Sequence, residues 1–293
     1  MVRLALVGGL ASWHGRAFSG LINGLAEGQN HAANGPQHDP IVEGARIVTV
    51  WDDDPAAARS LAQTYGVDRV AETMEAASEG VDGIIIPDDA SLQHQRRAEH
   101  FLKLGLPTFI DKPLSTDVAE AEAIYALAAQ HKAPVMSCSA LRFATETEEI
   151  RANPEAIGDI EVATTICGGE LFYYGIHALE LGQSVMGAGV RAVHNIGSPD
   201  RHIVKLSYGD GRTLIFMVYQ SISYVFQLNL HGTKGRRDIV VTDGNGFYAN
   251  TLNAVVEMVR TGHSSVPAEA TIEIIRILAA AKQSLSEGRE IKL

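Results

Sequence analysis

Cysteine is scarce in this chain: Cys138 and Cys167 are its two cysteines among 293 residues, and they do not stand in a metal-binding spacing. The pair therefore indicates neither a disulfide scaffold nor a zinc centre. Long apolar runs are also lacking, since none approaches the about 18 residues that a membrane-spanning helix requires. We expect no bound metal and no membrane segment.

Positive charge is in deficit, with 24 Lys and Arg against 35 Asp and Glu and a formal net charge of −11. This balance disfavours a nucleic-acid or anionic-membrane surface and favours a small-molecule substrate. A content of 46% apolar and 20% charged residues is ordinary for a folded chain long enough for two domains. The opening MVRLALVGG enters a strand pattern without the apolar region and cleavage site of an export signal, so we expect a cytoplasmic protein.

The regular G-x-G-x-x-G fingerprint is absent, although residues 2–8 have a buried-strand pattern and Gly8, Gly9 and Gly15 follow before a helix pattern at about 16–25. In a dinucleotide-binding fold, glycines here let the backbone approach the pyrophosphate, whose charge lies at the helix N-terminus. With the glycines displaced, an ordinary strand–helix turn is an equal alternative.

The second strand pattern, 45–51, ends at Asp52, Asp53, Asp54 and Pro55. An acid at this place can accept both ribose hydroxyls of NAD, and Asp52 is the best candidate. Three acids without an adjacent arginine would repel a 2′-phosphate, which favours NAD over NADP. Alternatively, Asp53 or Asp54 caps the helix that begins at Pro55.

Strand and helix patterns alternate up to residue 143, which predicts a parallel, doubly wound sheet. The predicted strands are 2–8, 45–51, 68–70, 81–86, 107–111 and 134–139, and the helices after the first are 55–65, 72–79, 92–104 and 118–130. The fold class is therefore α/β, with an N-terminal Rossmann domain at 1–143.

Beyond residue 143, strand patterns dominate and predict an α+β domain at 144–293 with a largely antiparallel open sheet. Its predicted strands are 160–167, 190–196, 201–208, 213–219, 224–231 and 237–241, and its helices are 145–152, 248–261 and 268–286. The run QSISYVFQLNL alternates polar and apolar residues, so one sheet face is buried and the other can pack on a second copy. We expect a homodimer or homotetramer through this sheet.

The strongest chemical candidate is Lys112, in the stretch Thr108-Phe109-Ile110-Asp111-Lys112-Pro113. An apolar strand delivers its last side chains to the carboxyl edge of the sheet, where open α/β folds bind ligands, and the proline ends the strand. A lysine at this edge can polarise or protonate a substrate oxygen. The alternative is a surface lysine after an edge strand.

The order of the glycine turn, Asp52, Pro87 with His94, the segment AEHFLKLGLPTFIDKPLS and Arg142 resembles the Gfo/Idh/MocA family of nicotinamide-dependent oxidoreductases. The family's hallmark Glu-Lys-Pro corresponds to Asp111-Lys112-Pro113. The closing segment EATIEIIRILAAAKQSLSEGREIKL also resembles the family's last helix and strand.

This resemblance implies an NAD-dependent dehydrogenase that transfers hydride between a secondary alcohol carbon of a sugar, cyclitol or related polyol and the nicotinamide, with NADP the less favoured cofactor. The residues expected at the cofactor are Gly8, Gly9, His14, Asp52, Pro87, His94, Asp111 and Lys112. Those expected at the substrate are Lys112, Arg142, Tyr173, Tyr174 and His177. His94 could instead cap its helix, and Arg142 could pair with a carboxylate.

The resemblance also places His177 and Gly175 in the family's Asp-x-Gly-x-His pattern, while Tyr173 takes the aspartate position. It implies that His177 takes the proton of a substrate hydroxyl while Lys112 holds the same oxygen. Without the family, a helix histidine packed against the sheet is the more common reading. Glu180, one turn further, could orient the imidazole.

Two other functions stay open, and the missing aspartate favours the second of them. Tyr173 or Tyr174 could contact a sugar hydroxyl instead, but a tyrosine pKa near 10 makes it a poor carboxylate substitute. One alternative is a lyase or glycosidase that uses bound NAD transiently. The other is a regulator that senses NAD or a ligand without turnover.

Overall fold

The computed structural model describes residues 1–88 and 93–293, and these form two compact units. The first unit comprises Met1–Ser115, Ala119–Cys138 and Thr251–Ala268, and the second comprises Thr116–Val118, Ser139–Asn250 and Glu269–Leu293. This division differs from the predicted boundary after residue 143. Residues 139–143 group with the second unit because Ser139 and Arg142 bond to residues of its helix 175–186. Residues 251–268 return to the first unit, where Val259 packs on Gly83.

The first unit contains a six-stranded parallel sheet, as predicted. Its strands are β1 (Val2–Val7), β2 (Ala45–Trp51), β3 (Arg69–Val70), β4 (Gly83–Ile86), β5 (Thr108–Ile110) and β6 (Val135–Met136). The spatial order is β3-β2-β1-β4-β5-β6, with every neighbouring pair parallel. The strand order reverses between β1 and β4, and open α/β sheets bind ligands at the carboxyl edge beside such a point.

Helices flank this sheet because its central strands are apolar on both faces, as β4 with its three buried isoleucines shows. They are α1 (Trp13–Asn23), α2 (Pro55–Tyr65), α3 (His94–Lys103) and α4 (Val118–His131). The helix predicted at 72–79 is a single 3₁₀ turn, Glu75–Ser78. The predicted start of α3 at residue 92 lies outside the described residues.

The second unit carries a seven-stranded, mostly antiparallel sheet, again as predicted. Its elements are α5 (Glu148–Ala152), β7 (Ile160–Gly168), α6 (Gly175–Met186), β8 (Val190–Asn195), β9 (Arg201–Tyr208), β10 (Thr213–Tyr219), β11 (Phe226–Gly232), β12 (Arg236–Val240), the first part of α7 (Gly244–Thr261), α8 (Ala268–Glu287) and β13 (Ile291–Lys292). From residue 251 onward, α7 belongs to the first unit. The order is β12-β11-β7-β10-β9-β8-β13, and β7 and β10 form its one parallel pair among the described residues.

One face of this second sheet is buried. Along β10, Leu214, Phe216 and Val218 are buried and alternate with partly exposed residues. Helix α6 lies close to this face, because glycine at Gly182 leaves room for Leu214. Association of two copies through the other face stays a prediction. In the ranges that the structure describes, no helix combines the length and apolar character needed to cross a bilayer.

Candidate functional site

The turn after β1 is built for glycine in spite of its irregular spacing. Gly8 and Gly9 adopt φ values of 73° and 63°, a conformation that other residues seldom take. A Cβ atom on Gly9 would lie 2.6 Å from Cα of Asp88, and one on Gly15 would lie 2.7 Å from the Gly9 carbonyl. Glycine at positions 9 and 15 therefore lets backbone segments approach one another, which an ordinary strand–helix turn does not require.

Helix α1 begins directly after this turn. Ser12 is its N-cap and accepts a hydrogen bond from the Gly15 amide at 3.0 Å, while its hydroxyl donates to the Pro87 carbonyl at 3.3 Å. A helix N-terminus next to a glycine turn at the carboxyl edge of a parallel sheet favours a bound phosphate group. The N-terminus of α1 beside this turn thus fits a phosphate group of a dinucleotide, and the Pro87 carbonyl lies next to its N-cap.

The acids after β2 have separate tasks. Asp52 accepts hydrogen bonds from the backbone amides of Leu10, at 2.8 Å, and Asp54, at 2.9 Å, so its carboxylate ties β2 to the glycine turn. Asp54 caps α2 by accepting from the Ala56 amide at 2.8 Å. Capping therefore belongs to Asp54, and the contact of Asp52 with the ribose stays a prediction.

Asp53 has arginine partners that the sequence analysis did not expect. Nη2 of Arg97 lies 2.6 Å from its carboxylate and Nη2 of Arg96 lies 3.4 Å away. Arg97 is 4% exposed and also pairs with Asp88 at 2.6 Å, while its guanidinium fills the space that a Cβ on Gly8 would need. No arginine is adjacent to these acids in the sequence, but two arginines lie beside Asp53 in the structure. The net negative charge after β2 is therefore smaller than a count of the three acids indicates.

We expect Asp52→Ala to weaken NAD binding and to narrow the preference for NAD over NADP. Loss of a charged acceptor for ribose hydroxyls costs about 1.5–3 kcal/mol, or roughly tenfold or more in Kd. Fluorescence titration with both reduced cofactors measures the two affinities. Asp68→Ala, which removes an exposed acid paired with Arg46, is the control and should leave both unchanged. An unchanged ratio of affinities in Asp52→Ala would mean that the ribose is read elsewhere.

Lys112 is buried rather than superficial. Strand β5 lies between β4 and β6 and is not an edge strand. Lys112, two residues after its end, is 3% exposed, so the alternative of a surface lysine after an edge strand is wrong. The preceding Asp111 donates its amide to the Ile86 carbonyl at 3.0 Å. The Lys112–Pro113 peptide bond is cis. The hydrogen bond of the Asp111 amide holds the backbone next to Lys112 at the carboxyl edge of the sheet.

Asp111 links this lysine to the glycine turn. Its carboxylate pairs with Nδ1 of His14, whose ring stacks on Phe18 with 5.7 Å between ring centroids. Burial raises the pKa of Asp111, but the opposing effects of His14 and Lys112 prevail, so the net pKa lies below its ordinary value. Asp111 is therefore a buried carboxylate that holds His14 and faces a cation. Direct cofactor contact by His14 or Asp111 stays a prediction.

His94 is fully buried and joins two segments at the same edge. Its Nδ1 lies 2.9 Å from the Leu114 carbonyl and its Nε2 lies 2.5 Å from the Asp88 carbonyl. Helix α3 has no side-chain cap, so His94 does not have the capping role considered for it. The hydrogen bonds of its ring hold the backbone after β4 and the backbone after the cis peptide. Contact of His94 with the cofactor stays a prediction.

In the second unit, His177 lies on the first turn of α6. Its Nδ1 is 2.6 Å from Oγ of Ser139, and its ring packs edge-on against Phe226 and Tyr174 with centroid distances of 5.3 and 5.8 Å. Gly175 lets the helix start close to β10, since a Cβ there would be 3.1 Å from a methyl of Val218. The ring is partly exposed, so the histidine is not simply packed in the core.

A buried polar chain lies behind the imidazole. Glu180, 1% exposed, accepts from Nε of Arg142 and, at 3.4 Å, from the Ser139 amide. Arg142 also donates to Gln183. Burial raises the pKa of Glu180, although Arg142 opposes that effect. Arg142 therefore has the carboxylate partner considered for it, and its contact with substrate stays a prediction.

Sequence reasoning missed Ser139, which holds the Nδ1 position where Glu180 was expected. It also missed Phe226 and Tyr224, whose rings pack at 4.9 Å, whereas Tyr173 and Tyr174 were expected and lie 5.8 Å apart. These residues form an aromatic cluster beside His177. Apolar walls with a few polar groups are usual in small-molecule sites. The alternating pattern of 224–231 was the available signal for this contribution from β11.

Comparison with known proteins agrees with these features. The model of an oxidoreductase family with an NAD-binding Rossmann fold, GFO_IDH_MocA, matches residues 17–138. The inositol 2-dehydrogenase of Rhizobium meliloti (strain 1021) is 24% identical over 320 aligned positions, which cover 88% of this chain and 96% of that protein.

Two solved structures show the same fold over the whole chain. The myo-inositol dehydrogenase of Corynebacterium glutamicum ATCC 13032 has a TM-score of 0.84 at 19% identity, covering 100% of this chain and 99% of that one. GenD2 from gentamicin A biosynthesis, in complex with NAD, has a TM-score of 0.83 at 19% identity, covering 100% and 96%. Residues 17–138 are therefore similar to the Gfo/Idh/MocA oxidoreductase family with its NAD-binding Rossmann fold, and the whole chain shares the fold of these two structures.

Proposed function

We propose that this protein is an NAD-dependent dehydrogenase that oxidises a secondary alcohol of a cyclitol or a related polyol. The observation that carries the proposal is the buried Lys112 at the end of β5, in a segment tied to the glycine turn through Asp111 and His14. Burying an ammonium group costs desolvation free energy, so it is weak evidence for a stabilising role. At the ligand-binding edge of a parallel sheet, the group is instead placed to bind an oxygen atom of a ligand. The two relatives named for inositol favour a ring that carries several hydroxyls.

Lys112 binds the reacting oxygen in this proposal. Its ammonium group donates a hydrogen bond to the hydroxyl and stabilises the negative charge that grows on the oxygen as carbon loses hydride. Asp111, whose pKa lies below its ordinary value, places a negative charge beside this ammonium group. A positioned cation in a site with little water is worth more than the same cation in solution.

His177 receives the proton of a substrate hydroxyl. With Nδ1 held by Ser139, Nε2 is the ring nitrogen that exchanges a proton with substrate. Because no carboxylate stands at position 173, Tyr173 and Tyr174 supply hydroxyl groups and ring faces for the substrate instead. Arg142 acts indirectly: it holds the Glu180 carboxylate, which accepts a hydrogen bond from the amide of Ser139.

The cofactor is held by the glycine turn and the residues around it. The N-terminus of α1 and the turn before it receive the pyrophosphate, and Asp52 receives the ribose. Pro87 and His94 shape the segment after β4. Bound NAD supplies the hydride acceptor.

The test is a substrate panel followed at the absorbance band of reduced nicotinamide. Purified protein with NAD is offered myo-inositol, other cyclitols, open-chain polyols and aldoses, and each is repeated with NADP. We expect NADH to accumulate with at least one cyclitol or polyol and His177→Asn to suppress it. Failure of every panel member to yield NADH, in protein shown to bind NAD, would contradict the proposal.

A further inference from the structure

Ser139 is the buried polar residue that lies between the imidazole and the ion pair of the second unit. It is fully buried, it caps the 3₁₀ turn Ala140–Phe143, and its Oγ has two neighbours. The Leu141 amide donates to Oγ at 3.2 Å, and Nδ1 of His177 lies 2.6 Å from it. Any role for this hydroxyl in catalysis rests on the function proposed for His177.

The hydrogen-bonding capacity of a hydroxyl limits what Ser139 can do. It has one hydrogen to donate and two lone pairs that accept. The Leu141 amide occupies one lone pair, so one lone pair and the hydrogen remain for Nδ1. Ser139 can therefore accept from a protonated Nδ1 or donate to a bare one, without movement of the ring.

A carboxylate in the position of the Ser139 hydroxyl would behave differently, because an ionised carboxylate accepts hydrogen bonds but has no hydrogen to donate to a bare Nδ1. The carboxylate nearest in the chain, Glu180, is engaged instead by Arg142 and by the Ser139 amide. This engagement fixes the backbone of Ser139 and so the position of its hydroxyl. The ion pair thus acts on the imidazole through the serine.

We propose that Ser139 is a positioning residue that holds Nδ1 of His177 in both charge states and so reserves Nε2 for proton exchange with the substrate oxygen. In oxidation, the substrate O–H bond breaks and an Nε2–H bond forms, while Nδ1–H donates to Oγ before and after the transfer. The ring becomes an imidazolium without turning. In reduction, the same Nε2–H bond breaks and the proton returns to oxygen.

Ser139→Ala should lower kcat by roughly tenfold to hundredfold, as is usual when a hydrogen-bonding partner of a functional histidine is lost. The dissociation constant for NAD should not change. Ser139→Thr keeps a hydroxyl and should restore most of the rate. Ser284→Ala is the matched control: it also removes a fully buried hydroxyl, but one that serves Asn195 and Arg289, so kinetics should stay unchanged.

A second readout separates positioning from mere stability. The ¹⁵N shifts of the His177 ring, assigned by their loss in His177→Asn, report which nitrogen carries hydrogen. We expect the tautomer population of the neutral ring to change in Ser139→Ala and to return in Ser139→Thr. Wild-type kcat and tautomer population in Ser139→Ala, with His177→Asn impaired, would overturn the role of Ser139. Wild-type kinetics in His177→Asn would instead overturn the proposed function.

Discussion

Lys112→Ala is expected to lower kcat by about 10²-fold or more while leaving NAD affinity nearly intact. Loss of a positioned acid or charge-stabilising group removes about this much rate in enzymes generally. Lys112 is 3% exposed and follows β5 closely in the chain, so its amine is held near the carboxyl edge of the sheet and bulk water does not replace it readily. Steady-state kinetics with a substrate found in the panel gives kcat, and NADH titration gives cofactor affinity.

Two variants show whether the lost rate belongs to this amine. Lys103→Ala removes an exposed lysine of the same unit, paired with Glu99, and should leave the kinetics unchanged. Lys112→Arg keeps the charge but changes its shape and reach, so we expect partial activity at best. If Lys112→Ala turned over at the wild-type rate, the lysine would have no part in the mechanism.

Arg142→Met is expected to destabilise the protein by about 3–5 kcal/mol, the usual cost of removing one partner of a buried ion pair. The side chains of Arg142 and Glu180 are 13% and 1% exposed, so water cannot replace the guanidinium. Gln183 loses a donor as well. Urea denaturation, with the folded baseline confirmed by circular dichroism, measures the change.

This destabilisation should depend on pH. Burial raises the pKa of Glu180 in the folded protein above its unfolded value, so the folded state holds the proton more tightly. Stability from this group is present below the unfolded pKa and is lost as pH rises through the folded pKa. Because Arg142 opposes the shift, its removal raises the folded pKa further, and Arg142→Met should be more impaired at pH 8 than at pH 5.

The double variant Arg142→Met/Glu180→Gln is the control for charge. It removes the buried carboxylate that would otherwise stand unpaired, so stability at pH 8 should recover partly and the dependence on pH should flatten. Equal deficits of Arg142→Met at the two pH values would show that the loss comes from packing and hydrogen bonds, not from an unpaired charge.

Local pattern was enough to predict most of the fold. Both sheets form as expected because strand and helix periodicities are local properties of the chain. The helix predicted at 72–79 shrinks to a 3₁₀ turn, and the last strand, β13, was expected only from the family resemblance, since a two-residue strand has no periodicity to read. Domain boundaries also moved, because residues 251–268 join the first unit through contacts distant in sequence.

Contacts distant in sequence explain what could not be predicted at the candidate site. Arg97 reaches Asp53 across 44 positions and Ser139 reaches His177 across 38. Lys112 was found because its signal, an apolar strand ending in a cation and a proline, is contiguous. The sequence predicted that one of the acids after β2 binds the ribose and that Asp53 or Asp54 caps α2. Only the hydrogen bond from the Ala56 amide identifies Asp54 as the cap.

Transfer of deuterium tests the central claim most directly. A polyol from the panel, deuterated at the carbon that is oxidised, is incubated with NAD and the wild-type protein, and the nicotinamide is analysed by mass spectrometry. We predict one deuterium on each NADH formed, and about 10²-fold less labelled NADH with Lys112→Ala in the same time. Product that retains the deuterium without net NADH, or deuterium released to water, would contradict a dehydrogenase mechanism.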